Sequence, residues 1–182
     1  PRPTPVLRTL WRPNAFNATP KKRNEMTPLP APLPPACTYL ASISVQVGPA
    51  IEVGETPEGI RRVIPILGGA VTGPNLSGRV LPAGADFQLL RTPTTTEMEA
   101  KYVLETDQND RIYVSNVGLR TGTAEDIAAL VAGVPVDPER VYFRSTPRFT
   151  AGGHWSWLSS RIFIASGIRL PDEVRLDVFM VE

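Results

Sequence analysis

The sequence predicts a mainly β protein: about nine strands in an antiparallel sheet curled into a barrel or sandwich, with one short helix. Three observations carry this. Apolar and other residues alternate along many short segments, which is the period of a strand with one face on a core. Turn-formers such as "GPNLSG", "PAGA", "DQND" and "LPDE" separate those segments. Only one stretch repeats at helical spacing.

Residues 1–37 form a proline-rich arm or tail, and residues 38–182 form the β domain. The first 35 residues hold 10 of the 20 prolines. Proline lacks the N–H that helices and ladders need, so "PLPAPLPP" is extended and polyproline-like. It is a solvated tail, an arm packed on the body, or a ligand for a proline-recognising domain. The "KKR" at 21–23 is too short to mark a nuclear signal or an anion site.

The body starts with "TYLASISVQVG", in which Tyr39, Ala41, Ile43, Val45 and Val47 share one face. Then come "RRVIPIL", "GRVL", "ADFQLLRT", "MEAKYVLETD", "RIYVSNVGLR", "VYFRSTPRFT", "SSRIFIASGIRL" and "EVRLDVFMVE". The helix is "TAEDIAALVAG", where Thr123 caps, Asp126 follows three residues on, and Gly133 stops it. The glycines between Gly68 and Gly84 resemble a phosphate loop, but strands rather than a helix follow them and "GK[ST]" is absent. They read instead as hairpin corners and bulges.

Composition narrows the function. Nineteen basic against 18 acidic residues give a net charge of +1, which is no electrostatic case for nucleic acid. One cysteine and one histidine exclude an intrachain disulfide and a histidine-rich metal site. Cys37 has no base near it in sequence, which argues against a nucleophilic thiol. No apolar run approaches the ~20 residues of a membrane span. Because the first residue is Pro1, a removed targeting segment stays open; the expected location is the cytoplasm. There is no "GxSxG" and no βαβ unit, so neither a hydrolase elbow nor a nicotinamide fold is present.

A polar side chain that points into a small barrel is costly unless it is paired or functional. Asp86 follows a Gly-Ala corner and leads a strand face with Gln88 and Leu90; its alternative role is to cap that corner. Tyr102 shares a face with Ala100 and Leu104, and Tyr113 with Ser115 and Val117. Tyr142 and Arg144 alternate with Phe143, and an inward Arg144 would need a carboxylate such as Asp86. His154 and Trp157, in "GGHWSWL", suit a loop closing one barrel end. His154 is the one side chain whose ordinary pKa suits proton transfer near neutrality.

"VGETPEGIRRVIPILGGAVTGPNLSGRVLPAGADFQLLR", "MEAKYVLETDQNDRIYVSNVGLR", "VYFRSTPRFT" and "WSWLSSRIFIASGIR" together resemble the domain-of-unknown-function 3237 family over roughly residues 38–182. The chain departs from that pattern at Ser159, where Asn is expected, and at Phe87, where Trp is frequent after the Asp. The resemblance implies a lipocalin-like antiparallel β-barrel with an internal cavity, and no particular reaction.

The expected function is a cofactor-independent isomerase or cyclase, forming an intramolecular C–O or C–C bond or acting as a lyase, on a small apolar, oxygenated, natural-product-like molecule. The alternative is a barrel that binds a hydrophobic small molecule without chemistry. Asp86, Arg144 and Tyr102 are the expected catalytic residues. Arg62, Tyr113, Tyr142, Phe143, His154 and Trp157 are the expected substrate contacts. No metal, cofactor, nucleic acid or membrane partner is expected, and a homodimer through a sheet face or the arm fits the sequence.

Overall fold

The computed structural model describes residues 31–182. Residues 1–30 of the proline-rich arm, with the "KKR" run, lie outside the described residues. The body, Pro34–Glu182, is one compact unit.

Nine strands form its sheet: β1 (Cys37–Val47), β2 (Ile51–Thr56), β3 (Gly59–Thr72), β4 (Gly78–Thr92), β5 (Thr95–Thr106), β6 (Arg111–Thr121), β7 (Tyr142–Thr150), β8 (Ile162–Arg169) and β9 (Glu173–Val181). All pairings are antiparallel, in the order β1-β9-β8-β7-β6-β5-β4-β3, and β1 pairs back onto β3. That last pairing closes an eight-stranded barrel and removes its open edges. β2 is a ninth strand, laid along the part of β3 that β1 leaves free.

Two expectations change. "GRVL" and "ADFQLLRT" are one strand, β4, interrupted by a bulge between Val80 and Gly84 rather than by a turn. β2 is an added strand whose residues are exposed or half-buried on both faces, so it carries no alternation to read. A bulge in β1 between Tyr39 and Ala41 also turns Tyr39 outward, while Ala41, Ile43, Val45 and Val47 are buried as the alternation predicts.

The glycines of the 61–87 stretch serve the closure. Gly69 (φ +140°) lies where β3 crosses β1, and a Cβ there would stand 1.9 Å from the Ser44 carbonyl oxygen. Gly84 (φ +108°) ends the β4 bulge, with its hypothetical Cβ 2.0 Å from the Lys101 carbonyl oxygen. Both combine a backbone conformation hostile to L side chains with a neighbour that is backbone.

The two barrel ends differ. A 3-10 segment, Gly153–Ser160, closes the end where β5 turns into β6: Trp155 Nε1 donates to Asp110 Oδ2 at 3.1 Å. Trp155 and Leu158 join Leu104, Ile112, Val114 and Phe163 in an apolar core there. Helix α1 (Ala124–Val131) follows β6 at the opposite end. The Asp126 N–H donates to Thr123 Oγ1 at 3.1 Å, as the capping pattern predicts. Arg140 holds the loop after α1 through a 2.6 Å ion pair with the buried Asp126.

Gly84→Ala is expected to cost about 2 kcal/mol or more, because it adds backbone strain and a backbone clash together. Denaturant unfolding of wild type and variant at equal m-value checks this.

Candidate functional site

Toward the α1 end the barrel interior turns polar. From β4, Asp86 and Gln88 point inward; β5 adds Met98, Ala100 and Tyr102, and β6 adds Asn116, Gly118 and Arg120. The register aligns them: Asp86 lies opposite Ala100 and Ala100 opposite Asn116. Small residues at 100 and 118 leave a cavity of about 40 Å³, room for a few water-sized groups. Val45, Ile64, Val174, Leu176 and Phe143 complete a largely apolar wall.

Six polar atoms of cavity-lining residues are shut off from solvent without a hydrogen-bond partner among the described residues. They are Asp86 Oδ1, Tyr102 OH, Asn116 Oδ1, Ser145 Oγ, and Arg120 Nε and Nη2. Buried polar groups are nearly always paired, so such a concentration marks a site. Thr96 Oγ1 is also unpartnered; it faces Arg120 across β5 and β6 but does not line the cavity.

Asp86 is oriented by a short chain. Arg62 Nε donates to Gln88 Oε1 at 3.0 Å, which commits the other end of that amide to donate. Gln88 Nε2 then donates to Asp86 Oδ2 at 2.6 Å. One carboxylate oxygen is held and the other is free. Burial raises the Asp86 pKa above the ordinary carboxylate value, opposed by the Gln88 bond and by the charges of Arg120, Arg62 and Arg169. The residue keeps some exposed surface, but Oδ1, one of the two oxygens that share the carboxylate charge, does not touch solvent. Burial, with the Asp86 charge beside it, also raises Tyr102, which stays a neutral donor.

Three guanidiniums face this single carboxylate. Arg62 is 5% exposed and lies 3.8 Å from Glu52 on the outer strand β2. Arg169 donates to the backbone carbonyls of Leu170 and Glu173. Arg120, 1% exposed, is pushed down to about 10 by burial and by Arg62, with Asp86 countering and Arg169 adding to the fall. It remains charged at neutral pH.

Of the expected residues, the cavity brings together Asp86, Tyr102 and Phe143, with Arg62 linked through Gln88. The others stand elsewhere. Strand parity buries Phe143 and Ser145, so Tyr142 and Arg144 point outward, where the Arg144 guanidinium lies 5.2 Å from the Tyr142 ring centroid. The same parity turns Tyr113 out, because Ile112 and Val114 take the inner face of β6. The expected inward Arg is therefore Arg120, not Arg144. His154 is exposed and stacks edge-on with Trp155, while Trp157 packs toward Phe163 in the apolar core. Both belong to the 3-10 segment at the far end. Gln88, Asn116, Arg120, Ser145 and Arg169 are missing from the expected set.

Outside the barrel, β7 and β8 pair only at Arg144–Ser166 and Ser145–Ala165. A hollow of about 870 Å³ lies over this seam, lined by Val117, Leu119, Tyr142, Arg144 and Ile164 among others. Gly118 and Ser145 border both the hollow and the cavity. No group of three or more His, Cys, Asp or Glu among the described residues could hold a metal ion. No helix among them is long and apolar enough to cross a membrane.

A family model described as "Protein of unknown function (DUF3237)" matches residues 35–181. A UPF0311 protein of Rhodopseudomonas palustris (strain TIE-1) is 46% identical over 144 residues, 79% of this chain and 94% of that protein. The crystal structure of the conserved protein of unknown function RPA1785 from Rhodopseudomonas palustris has a TM-score of 0.79 at 43% identity, covering 84% of this chain and 100% of that one. The crystal structure of an enzyme from Penicillium herquei has a TM-score of 0.63 at 18% identity, covering 84% of this chain and 98% of that one. At that identity the likeness carries the fold alone.

The raised Asp86 pKa has a thermodynamic consequence. A carboxyl group that binds its proton more tightly when folded contributes stability below its unfolded pKa and loses it as pH rises through the folded value. Asp86→Asn removes that ionisation. The melting temperature of the variant relative to wild type is expected to climb as pH rises above the ordinary carboxylate pKa of about 4. Calorimetry over that rise in pH checks it, and a flat difference would contradict the raised pKa.

Proposed function

The chain belongs to the DUF3237 family, and we propose that it is a cofactor-independent isomerase or cyclase that works by proton transfer on a small oxygenated molecule inside the barrel. The observation that carries this is that five residues lining one cavity, Asp86, Tyr102, Asn116, Ser145 and Arg120, each bury a side-chain polar atom that has no partner among the described residues. A barrel that only carried an apolar ligand would gain nothing from burying five polar groups unpaired.

The chemistry needs a group that exchanges a proton near neutrality, donors for developing negative charge, and dry walls. Asp86 is the group assigned to the first: its Oδ1 is unpaired in the cavity and burial raises its pKa above the ordinary carboxylate value. Tyr102 is the donor for an enolate oxygen. Val45, Ile64, Val174 and Leu176 exclude water. For closure of a hydroxy-enone, Asp86 takes the hydroxyl proton as the C–O bond forms and the C=C π bond breaks. The same proton returns to the enolate carbon. Nothing is oxidised, reduced or lost, so the step is complete within the substrate. The cavity volume bounds that substrate to a small molecule, or to the reacting end of a larger one entering across the β7–β8 seam.

The test is proton exchange. Wild-type protein in D2O is incubated with small hydroxy-enones and enolisable ketones, and deuterium incorporation or ring closure is followed by NMR. Asp86→Asn is expected to slow the active substrate at least ~100-fold, the scale of one general-base contribution. Gln88→Leu frees the carboxylate from its orienting bond, and is expected to lower kcat more than it raises KM. A variant lacking Asp86 that keeps its activity removes it from the role. Binding of panel compounds without exchange of any of them would leave the carrier reading instead.

A further inference from the structure

The three arginines of the barrel interior differ in what they hold. Arg62 is committed to Gln88 and Glu52, and Arg169 to two backbone carbonyls. Among the described residues neither Nε nor Nη2 of Arg120 has a hydrogen-bond partner, and both atoms are sealed from solvent. Those two N–H groups lie along one edge of the guanidinium. That edge is the one a carboxylate grips with two parallel hydrogen bonds.

We propose that Arg120 is the carboxylate-binding residue of this cavity and that the natural ligand is a small carboxylic acid, gripped through its two oxygens by the Nε–Nη2 edge. The charges point the same way. Three guanidiniums share the interior with one carboxylate, and the charges of Glu52 and Asp172 act on Arg62 and Arg169 respectively rather than on Arg120. A bound monoanion offsets the excess where it is largest. The surroundings select against larger anions. Asp86 Oδ1 and Asn116 Oδ1 are acceptors, which would oppose the outer oxygens of a phosphate. The apolar walls and the volume of about 40 Å³ suit a short hydrocarbon tail behind the carboxylate. An acid held here presents its tail to Asp86, the group that would exchange its proton, and to Tyr102, the hydrogen-bond donor beside it.

This deepens the proposed function by naming its substrate class. It rests on the cavity being a small-molecule site and not on catalysis, so a binding experiment separates the two. Sodium propanoate, propanamide and sodium chloride are titrated into the protein at matched ionic strength, and thermal shift and calorimetric heat are read. Propanoate is expected to stabilise the wild type in a saturable way, with propanamide inert and chloride much weaker. Arg120→Met replaces an unbonded buried charge with an apolar chain of similar length, so it is expected to fold and to melt higher than wild type. It is expected to weaken propanoate at least tenfold. Arg120→Lys keeps the charge but loses the fork, and should fall between the two. No response of the wild type to propanoate, or equal responses to chloride and propanoate, overturns the assignment. So does an Arg120→Met variant that binds propanoate as wild type does. Those results leave the deuterium-exchange test of Asp86 untouched, and a failure of that test leaves carboxylate binding standing.

Discussion

The 2.6 Å hydrogen bond from Gln88 Nε2 to Asp86 Oδ2 fixes one carboxylate oxygen and leaves the other unpaired inside the cavity. Almost every other feature of the interior answers to it. Gln88 can donate in that direction only because Arg62 claims its oxygen, and Arg62 can be buried only because Gln88 and Glu52 receive it. The polar half of the barrel is thus a chain of obligations that starts outside, on β2, and ends on Asp86 Oδ1. This gives the ninth strand a function beyond covering an edge: it carries Glu52, the outer counter-charge of the chain.

Closure is what makes burial of that chain feasible. An open sheet would expose Asp86 to water on one side, and its pKa would relax toward the ordinary value. The β1–β3 pairing seals the lumen, at the cost of bringing backbones so close that Gly69 can have no side chain. The β4 bulge has the same logic. It adds residues between Val80 and Gly84 while β5 advances from Leu104 to Tyr102, so Asp86 and Gln88 still land on the inner face. Glycines that look like a phosphate cradle in one dimension are corners in three.

Strand period makes part of this legible in sequence. Asp86 with Gln88, Tyr102 with Leu104, and Phe143 in an aromatic strand all lie inside as alternation requires. The period does not tell which of two faces is inner when both carry apolar groups. In "RIYVSNVGLR" the aromatic Tyr113 and Val117 mark one face, while Ile112, Val114, Asn116, Gly118 and Arg120 mark the other. Each face carries two branched aliphatics, Ile112 and Val114 inside and Val117 and Leu119 outside, and the inner face is the one that carries the arginine. In "VYFRSTPRFT" the same ambiguity falls the other way, and Arg144 is outside. A one-residue phase thus separates a surface cation from a buried one. β2 is illegible for a different reason: it buries neither face, so it imposes no pattern.

Arg120 weighs stability against use. Its burial beside two other guanidiniums opposes folding, and no hydrogen bond among the described residues repays it, since its bidentate edge holds no partner while Arg62 and Arg169 hold theirs. An apolar side chain would fill the same place more cheaply. Asp86 offsets part of the charge, yet it too is raised above its ordinary pKa, so each member of the pair is strained toward neutrality without pairing directly. Two oppositely charged groups kept apart across a small cavity define a polar axis in an otherwise apolar space. A ligand with an anion at one end and an exchangeable proton at the other satisfies both, and a purely hydrocarbon ligand satisfies neither.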